Sequence, residues 1–178
     1  MKLSGIVIGL VITVLTACGG GGVGSSVSTT TPTKTIQATI LALESSRNLP
    51  TLDRSAGIAG PDENVNSIRD DVDAYIARQG YTAPQLKSVQ QIAKAMADIL
   101  VVNISSQDAL KASDLSLQKS IKCVYLRFSD SEPIQPHTVA KNIEKLTVNT
   151  KVRAEFYMKY QIAMNGKVLA SPQGNTCE

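Results

Sequence analysis

The chain has 178 residues, of which 43% are apolar and 19% charged, with no Trp, one His and a formal net charge of +3. That length suits one domain of ordinary size with a single modest core. No block of basic residues stands out, which argues against nucleic acid as a partner.

The first element is a leader. MKLSGIVIGLVITVLTACGGGG carries Lys2, an apolar run from Ile6 to Leu15 and small residues before Cys18, the anatomy of a secretory signal. The run is about half the ~20 residues a spanning helix requires. Residues 1–17 are therefore expected to be a signal peptide. Their removal takes away Lys2 and no acid, which leaves +2. The four residues that end the apolar run, Leu15-Thr16-Ala17-Cys18, resemble the lipobox of bacterial lipoproteins. That resemblance implies that Cys18 takes a diacylglyceryl group and an acyl chain such as palmitate, and becomes the mature N-terminus. By the sorting habit of Gram-negative lipoproteins, Gly19 then implies the outer membrane. The alternative is a plain cleaved signal in which a Cys happens to fall at that place.

Residues 18–34 read as the lipidated Cys and a tether. GGGGVGSSVSTTTPTK has no large apolar residue except Val, and a coil of that composition reaches roughly 20–25 Å. Residues 35–178 read as the folded domain. Its first helix carries Ile36, Ile40 and Leu43 at helical spacing and stops at Asn48-Leu49-Pro50. Residues 51–66 are rich in turn formers. Ser67 to Arg78 reads as a short helix with Ile68, Val72, Tyr75 and Ile76 on one face, ended by Gly80.

Thr82-Ala83-Pro84-Gln85 is a capping box with Pro in the first turn. The helix it starts, to about Val102, has the stripe Leu86, Val89, Ile92, Met96, Ile99 and Leu100. Ser105 with Asp108 starts the next, whose stripe is Leu110, Leu117, Ile121, Val124, Tyr125 and Phe128 and which contains Cys123. Residues 129–136 break it. Two further segments, 138–148 and 150–165, follow; the last carries Val152, Phe156, Tyr160 and Met164, and Gly166 stops it. Phe128, Phe156, Tyr125, Tyr157 and Tyr160 are expected in the core. β signals are weak throughout. The fold class that follows is all-α, a small bundle of five or six short helices joined by short loops.

Three motifs bear on chemistry. With Cys18 lipidated, Cys123 and Cys177 are the remaining thiols of an exported chain, and a disulfide between them is expected in an oxidising compartment. It would pin the C-terminal tail to the helix carrying Cys123; two separate buried thiols are the alternative. The second motif is PDENVNSIRDDVDAYI, residues 61–76. Counted from Asp62, side-chain oxygens fall at positions 1, 3, 5, 9 and 12, namely Asp62, Asn64, Asn66, Asp70 and Asp73, with the Ile68 carbonyl at 7. That is the ligand spacing of an EF-hand calcium loop. Ser67 stands where such loops place Gly, and Asp73 where they place Glu. The same residues also suit a metal-free turn leading into a helix N-terminus. The third is His137, the one imidazole, read as a solvent-exposed side chain because no Ser or Cys partner is signalled. One His and two oxidised Cys make zinc a poor fit.

The Asp at position 12 is similar to that of dockerin-type calcium loops, though a dockerin has two loops and this chain has one. More broadly, LPTLDRS followed by AG-x-D-x-N-x-N-x-I-R-D-D-V, with a helical Cys and a terminal one, resembles a group of short exported bacterial lipoproteins across most of residues 45–178. The resemblance implies a calcium site and a Cys123–Cys177 bridge, and it brings no known activity with it. The expected protein is a lipid-anchored envelope domain, held to the membrane by its N-terminal lipid. Its role would be binding or structural rather than catalytic, and it could take an envelope protein as partner. The alternatives are an envelope-polymer hydrolase or its accessory, and an inhibitor or immunity-type lipoprotein.

Overall fold

A computed structural model describes residues 32–131, 133–167 and 170–178. The residues read as signal and lipobox, Cys18 included, and nearly all of those read as tether lie outside the described residues. Six helices and no strands occupy the described region: α1 (Pro32–Ser45), α2 (Asp70–Ala77), α3 (Ala83–Leu100), α4 (Gln107–Arg127), α5 (Pro136–Thr147) and α6 (Lys151–Met164). The fold is all-α. Among these helices none is long and apolar enough to cross a membrane.

α3 is the centre. It packs against α2, α4, α5 and α6, and Val89, Ile92, Met96, Ile99 and Leu100 are all buried, as the stripe implies. Ser88, Ala93 and Ala95 are buried as well. Small side chains there let neighbouring helices approach closely on more than one side. The core is completed by Ile68, Val72 and Ile76, by Leu110, Val124 and Phe128, by Val139, Ile143 and Leu146, and by Tyr160. Tyr81 packs edge-on against Phe128, ring centroids 5.4 Å apart.

Helix ends follow local chemistry. At α3 both halves of the Thr82–Gln85 capping box are present. α1 ends in a Schellman turn with Arg47 at φ 60°, where the Asn48 N–H donates to the Leu43 carbonyl at 2.9 Å. At α4 the cap is Ser106 rather than Ser105: the Ser106 hydroxyl accepts from the Ala109 N–H.

Four further expectations are corrected. α1 starts at Pro32, inside the segment read as tether, since Pro suits a first helical turn. α2 starts at Asp70 rather than Ser67, because Ser67 takes a left-handed φ of 67° that no helix accepts. In α4, Cys123 and Ser120 hold the buried side, and Tyr125, two residues and about 200° further round the helix, is half-exposed. In α6 the buried pair is Tyr160 and Arg153, while Val152 is 49% exposed and Phe156 and Tyr157 are only partly buried.

Candidate functional site

The loop from Thr51 to Arg69 is held in place by two buried arginines. Arg153, fully buried in the first turn of α6, uses all five of its N–H donors. Its Nε donates to the Ile58 carbonyl at 3.0 Å, Nη1 to the Asp53 carbonyl and to Asn149 Oδ1 at 2.9 Å each, and Nη2 to the Gly57 carbonyl and Asp53 Oδ2 at 3.0 and 2.5 Å. A cation at a helix N-terminus opposes the macrodipole, and the Asp53 carboxylate offsets it. Burial pushes the Asp53 carboxyl up, but hydrogen bonds from Arg153 and Ser55 outweigh that and hold it at about 2.

Arg69, 5% exposed, sits just before α2. It grips Asp71 through Nε and Nη2 at 2.5 and 2.9 Å, and donates to the Leu146 and Thr147 carbonyls at 2.7 and 3.2 Å. Those carbonyls are unpaired ends of α5, so Arg69 acts as its C-terminal cap. Asp71 in turn accepts the Asp53 N–H at 2.7 Å, which joins the two arginine networks. Gly60 lies between them at φ 74°; a Cβ there would fall 2.3 Å from Arg69 Cδ and 2.8 Å from Arg153 Nη2. LPTLDRSAGIAG is thus a segment whose polar atoms are spent on architecture.

On this frame the structure places the sequence-derived calcium positions. Asp62 accepts the Asn66 and Ser67 N–H groups at 3.1 and 2.9 Å. Asn64 and Asn66 both donate their side-chain amides to Asp73 Oδ2, at 3.1 and 2.6 Å, and Asn66 Oδ1 accepts from the Ile68 N–H at 2.8 Å. Asp70 accepts from the Glu63 N–H at 3.1 Å. Asn64, Asn66 and Asp73 therefore converge on one point, whereas Asp62 and Asp70 brace the loop backbone and the Ile68 side chain enters the core. Ser67, at φ 67°, supplies the left-handed turn that Gly provides in calcium loops.

The donor set fits a hard cation in kind but not in number of charges. Among the described residues no three His, Cys, Asp or Glu side chains gather as a metal shell. A cation here would rest on the two amide oxygens and the Ile68 carbonyl as much as on Asp62, Asp70 and Asp73. The amides of Asn64 and Asn66 would have to turn their oxygens toward Asp73.

Cys123 and Cys177 are bonded, with Cα atoms 4.9 Å apart. The tail lies across α3 and α4. Thr176 Oγ1 donates to the Lys119 carbonyl at 2.8 Å, Gln91 Nε2 to the Thr176 carbonyl at 3.0 Å, and Lys122 Nζ to the Pro172 carbonyl at 2.8 Å. An open depression of about 310 Å³ beside the bridge is lined by Lys87, Ser88, Arg127 and Glu178 among others. His137 lies in the first turn of α5, exposed, with its Nε2 3.2 Å from the Thr138 hydroxyl.

Sequence reasoning missed Arg69, Asp71, Asp53 and Arg153. One signal was available: Arg153 occupies a helical register whose next-turn neighbours, Phe156 and Tyr157, are bulky and aromatic. Its partner Asp53, a hundred positions away, stands in the LPTLDRS stretch with no sign there of a buried counter-ion. Comparison with protein-family models, curated proteins and solved structures finds no match.

Proposed function

We propose that the protein is a lipid-anchored domain of the bacterial cell envelope, tethered to the outer membrane through Cys18, with a binding or structural role rather than a catalytic one. The observation that carries this reading is the cysteine inventory: three in the chain, two of them bonded to each other, and the third in a lipobox-like LTAC after an export signal. A disulfide suits an oxidising compartment outside the cytoplasm. Support for a non-catalytic role comes from the Thr51–Asp73 region, whose arginines and carboxylates are spent on holding the chain. Among the described residues every buried side-chain nitrogen and oxygen has a partner. In cells, Cys18→Ser is expected to move the protein from the membrane fraction to the soluble one; unchanged membrane attachment would overturn the reading.

Calcium is proposed as a stabilising ligand of the 62–73 loop, held by Asp62, Asn64, Asn66, the Ile68 carbonyl, Asp70 and Asp73. Supporting it are the convergence of three of these on one point and the left-handed Ser67. The ion would neutralise Asp73 and its neighbours and so tighten the loop against α2. With few charges the affinity belongs in the ~0.1–1 mM range of extracellular modules. At ten times Kd the gain is ~1.4 kcal/mol, or about 4 °C in Tm for a domain of this size. Thermal melts with millimolar calcium, against magnesium, should show that shift in the native chain and lose it in Asp62→Ala with Asp73→Ala. An equal response in both proteins removes the site.

A second reading is a partner-binding inhibitor or immunity-type role. Exposed apolar side chains on α4 (Leu115, Tyr125, Leu126) and α6 (Val152, Met158, Ile162) favour it. Photo-cross-linking from position 162 in intact cells gives a discrete adduct if that face docks a protein, and none if it faces solvent.

A further inference from the structure

α1 carries apolar side chains that the rest of the fold leaves uncovered. Ile36 is 62% exposed, Leu43 is exposed and Ile40 is half-buried, and between Thr35 and Ser45 only Glu44 is buried. At 100° per residue, Ile36, Ile40 and Leu43 form one stripe along the helix, with Ala38 on the opposite side. α1 stands outside the principal helix–helix contacts. What holds it to the domain is Glu44, whose carboxylate accepts from Arg54 Nη2 and Nη1 at 2.6 and 3.1 Å. A helix whose ion pair to the domain lies in its last turn, with Ile36 and Leu43 exposed and Ile40 half-buried ahead of it, presents an apolar stripe that a further surface can cover.

We propose that this surface is the lipid bilayer: α1 lies in the membrane interface with Ile36, Ile40 and Leu43 sunk toward the acyl chains, so that the domain docks on the membrane as well as being tethered to it. The inference rests on the lipid-anchor reading of Cys18. Two observations select a bilayer over a protein partner. Residues 19–31, the stretch between Cys18 and α1, have a Gly/Ser/Thr-rich composition with a reach of only ~20 Å, so a lipidated Cys18 confines the helix to the neighbourhood of the bilayer. That confinement gives an effective concentration in the millimolar range, at which a weak surface affinity is enough. Residues 35–43, TIQATILAL, carry no charge, so the stripe can enter the interface without desolvating an ion.

The test uses the full lipidated chain in vesicles of phosphatidylethanolamine and phosphatidylglycerol. With Cys18 acylated and Cys123 bonded to Cys177, a new Cys at position 36 or 38 is a lone thiol for an environment-sensitive fluorophore. The expected result is a blue-shifted probe at 36, quenched severalfold more by brominated acyl chains than the probe at 38, and loss of that difference in Ile40→Glu with Leu43→Glu. Equal, water-like emission at 36 and 38, with intact lipid on Cys18 by mass spectrometry, overturns the docking proposal while leaving the anchor standing. An N-terminal mass without lipid overturns the anchor and the docking with it. A blue shift at 36 that persists without vesicles overturns the bilayer as occupant: if it rises with protein concentration, the stripe is covered by a second copy; if independent of concentration, by the chain's own N-terminal segment.

Discussion

Asp53 and Arg153 are a hundred positions apart and meet at 2.5 Å with the arginine fully buried. Removing one member of such a pair leaves a buried charge without its partner, which costs far more than the pair itself contributes. Asp53→Asn is therefore expected to lose about 3 kcal/mol in urea unfolding at neutral pH. The pH dependence has a definite sign. The carboxyl, ordinarily near 3.8, is held at about 2 in the folded chain, so its contribution is fully present above pH ~4 and is lost as pH falls through 2. Its size is about 2 kcal/mol. Acid titration of stability should show this step in the native protein and a smaller one in Asp53→Asn; equal steps would mean that the carboxylate is not ionised against Arg153. Gly60 belongs to the same group of atoms, since both its left-handed φ and the closeness of the two arginine side chains exclude a Cβ. Asp53 and Gly60 stand inside the LPTLDRS and AG stretches, but their roles are not legible there, because the groups that surround them come from Arg69, α2 and α6.

At the scale of elements, most helices were legible. A capping box, Pro in a first turn and a 3.6-residue stripe are local signals, and α3 follows all three. Misreadings arose where a tertiary bond competed with the local signal. The Cys123 bridge turns α4 so that Tyr125 points outward, and Arg153 displaces Val152 from the buried side of α6. α4 starts one residue later than the sequence predicts, since Ser105 and Ser106 are both competent caps. Ser106→Ala should cost about 1 kcal/mol, whereas Ser105→Ala should stay within ~0.5 kcal/mol. Paired denaturation curves check this, and equal losses would place the cap elsewhere. The calcium-like stretch was legible as spacing. Its folded arrangement, with two Asn amides donating to Asp73 and Arg69 capping α5, was not, since amide direction depends on how the loop folds back on α2 and the partners of Arg69 on where α5 lies.

For the whole molecule, the Cys123–Cys177 bridge closes a loop of 54 residues and fastens the tail over α3 and α4. In the chain-entropy account such closure contributes up to about 4 kcal/mol. Cys123→Ala with Cys177→Ala should lower stability toward that amount in urea. It should also raise amide exchange in residues 170–178 well before that of α3, and simultaneous exchange of both would make tail and core one cooperative unit. The sequence by itself determined the helical class, the buried faces of α2 and α3 and the competence of Cys123 and Cys177 to pair, because periodicity, caps and cysteine number are properties of neighbours along the chain. Only the tertiary structure decided which polar residues are buried, that Thr51–Arg69 is a loop locked by Arg69 and Arg153, and that the α1 stripe lies uncovered. Each of these depends on which distant groups share a low-dielectric interior, where a charge is tolerated only beside its counter-ion and an apolar stripe stays bare only when no neighbour packs over it.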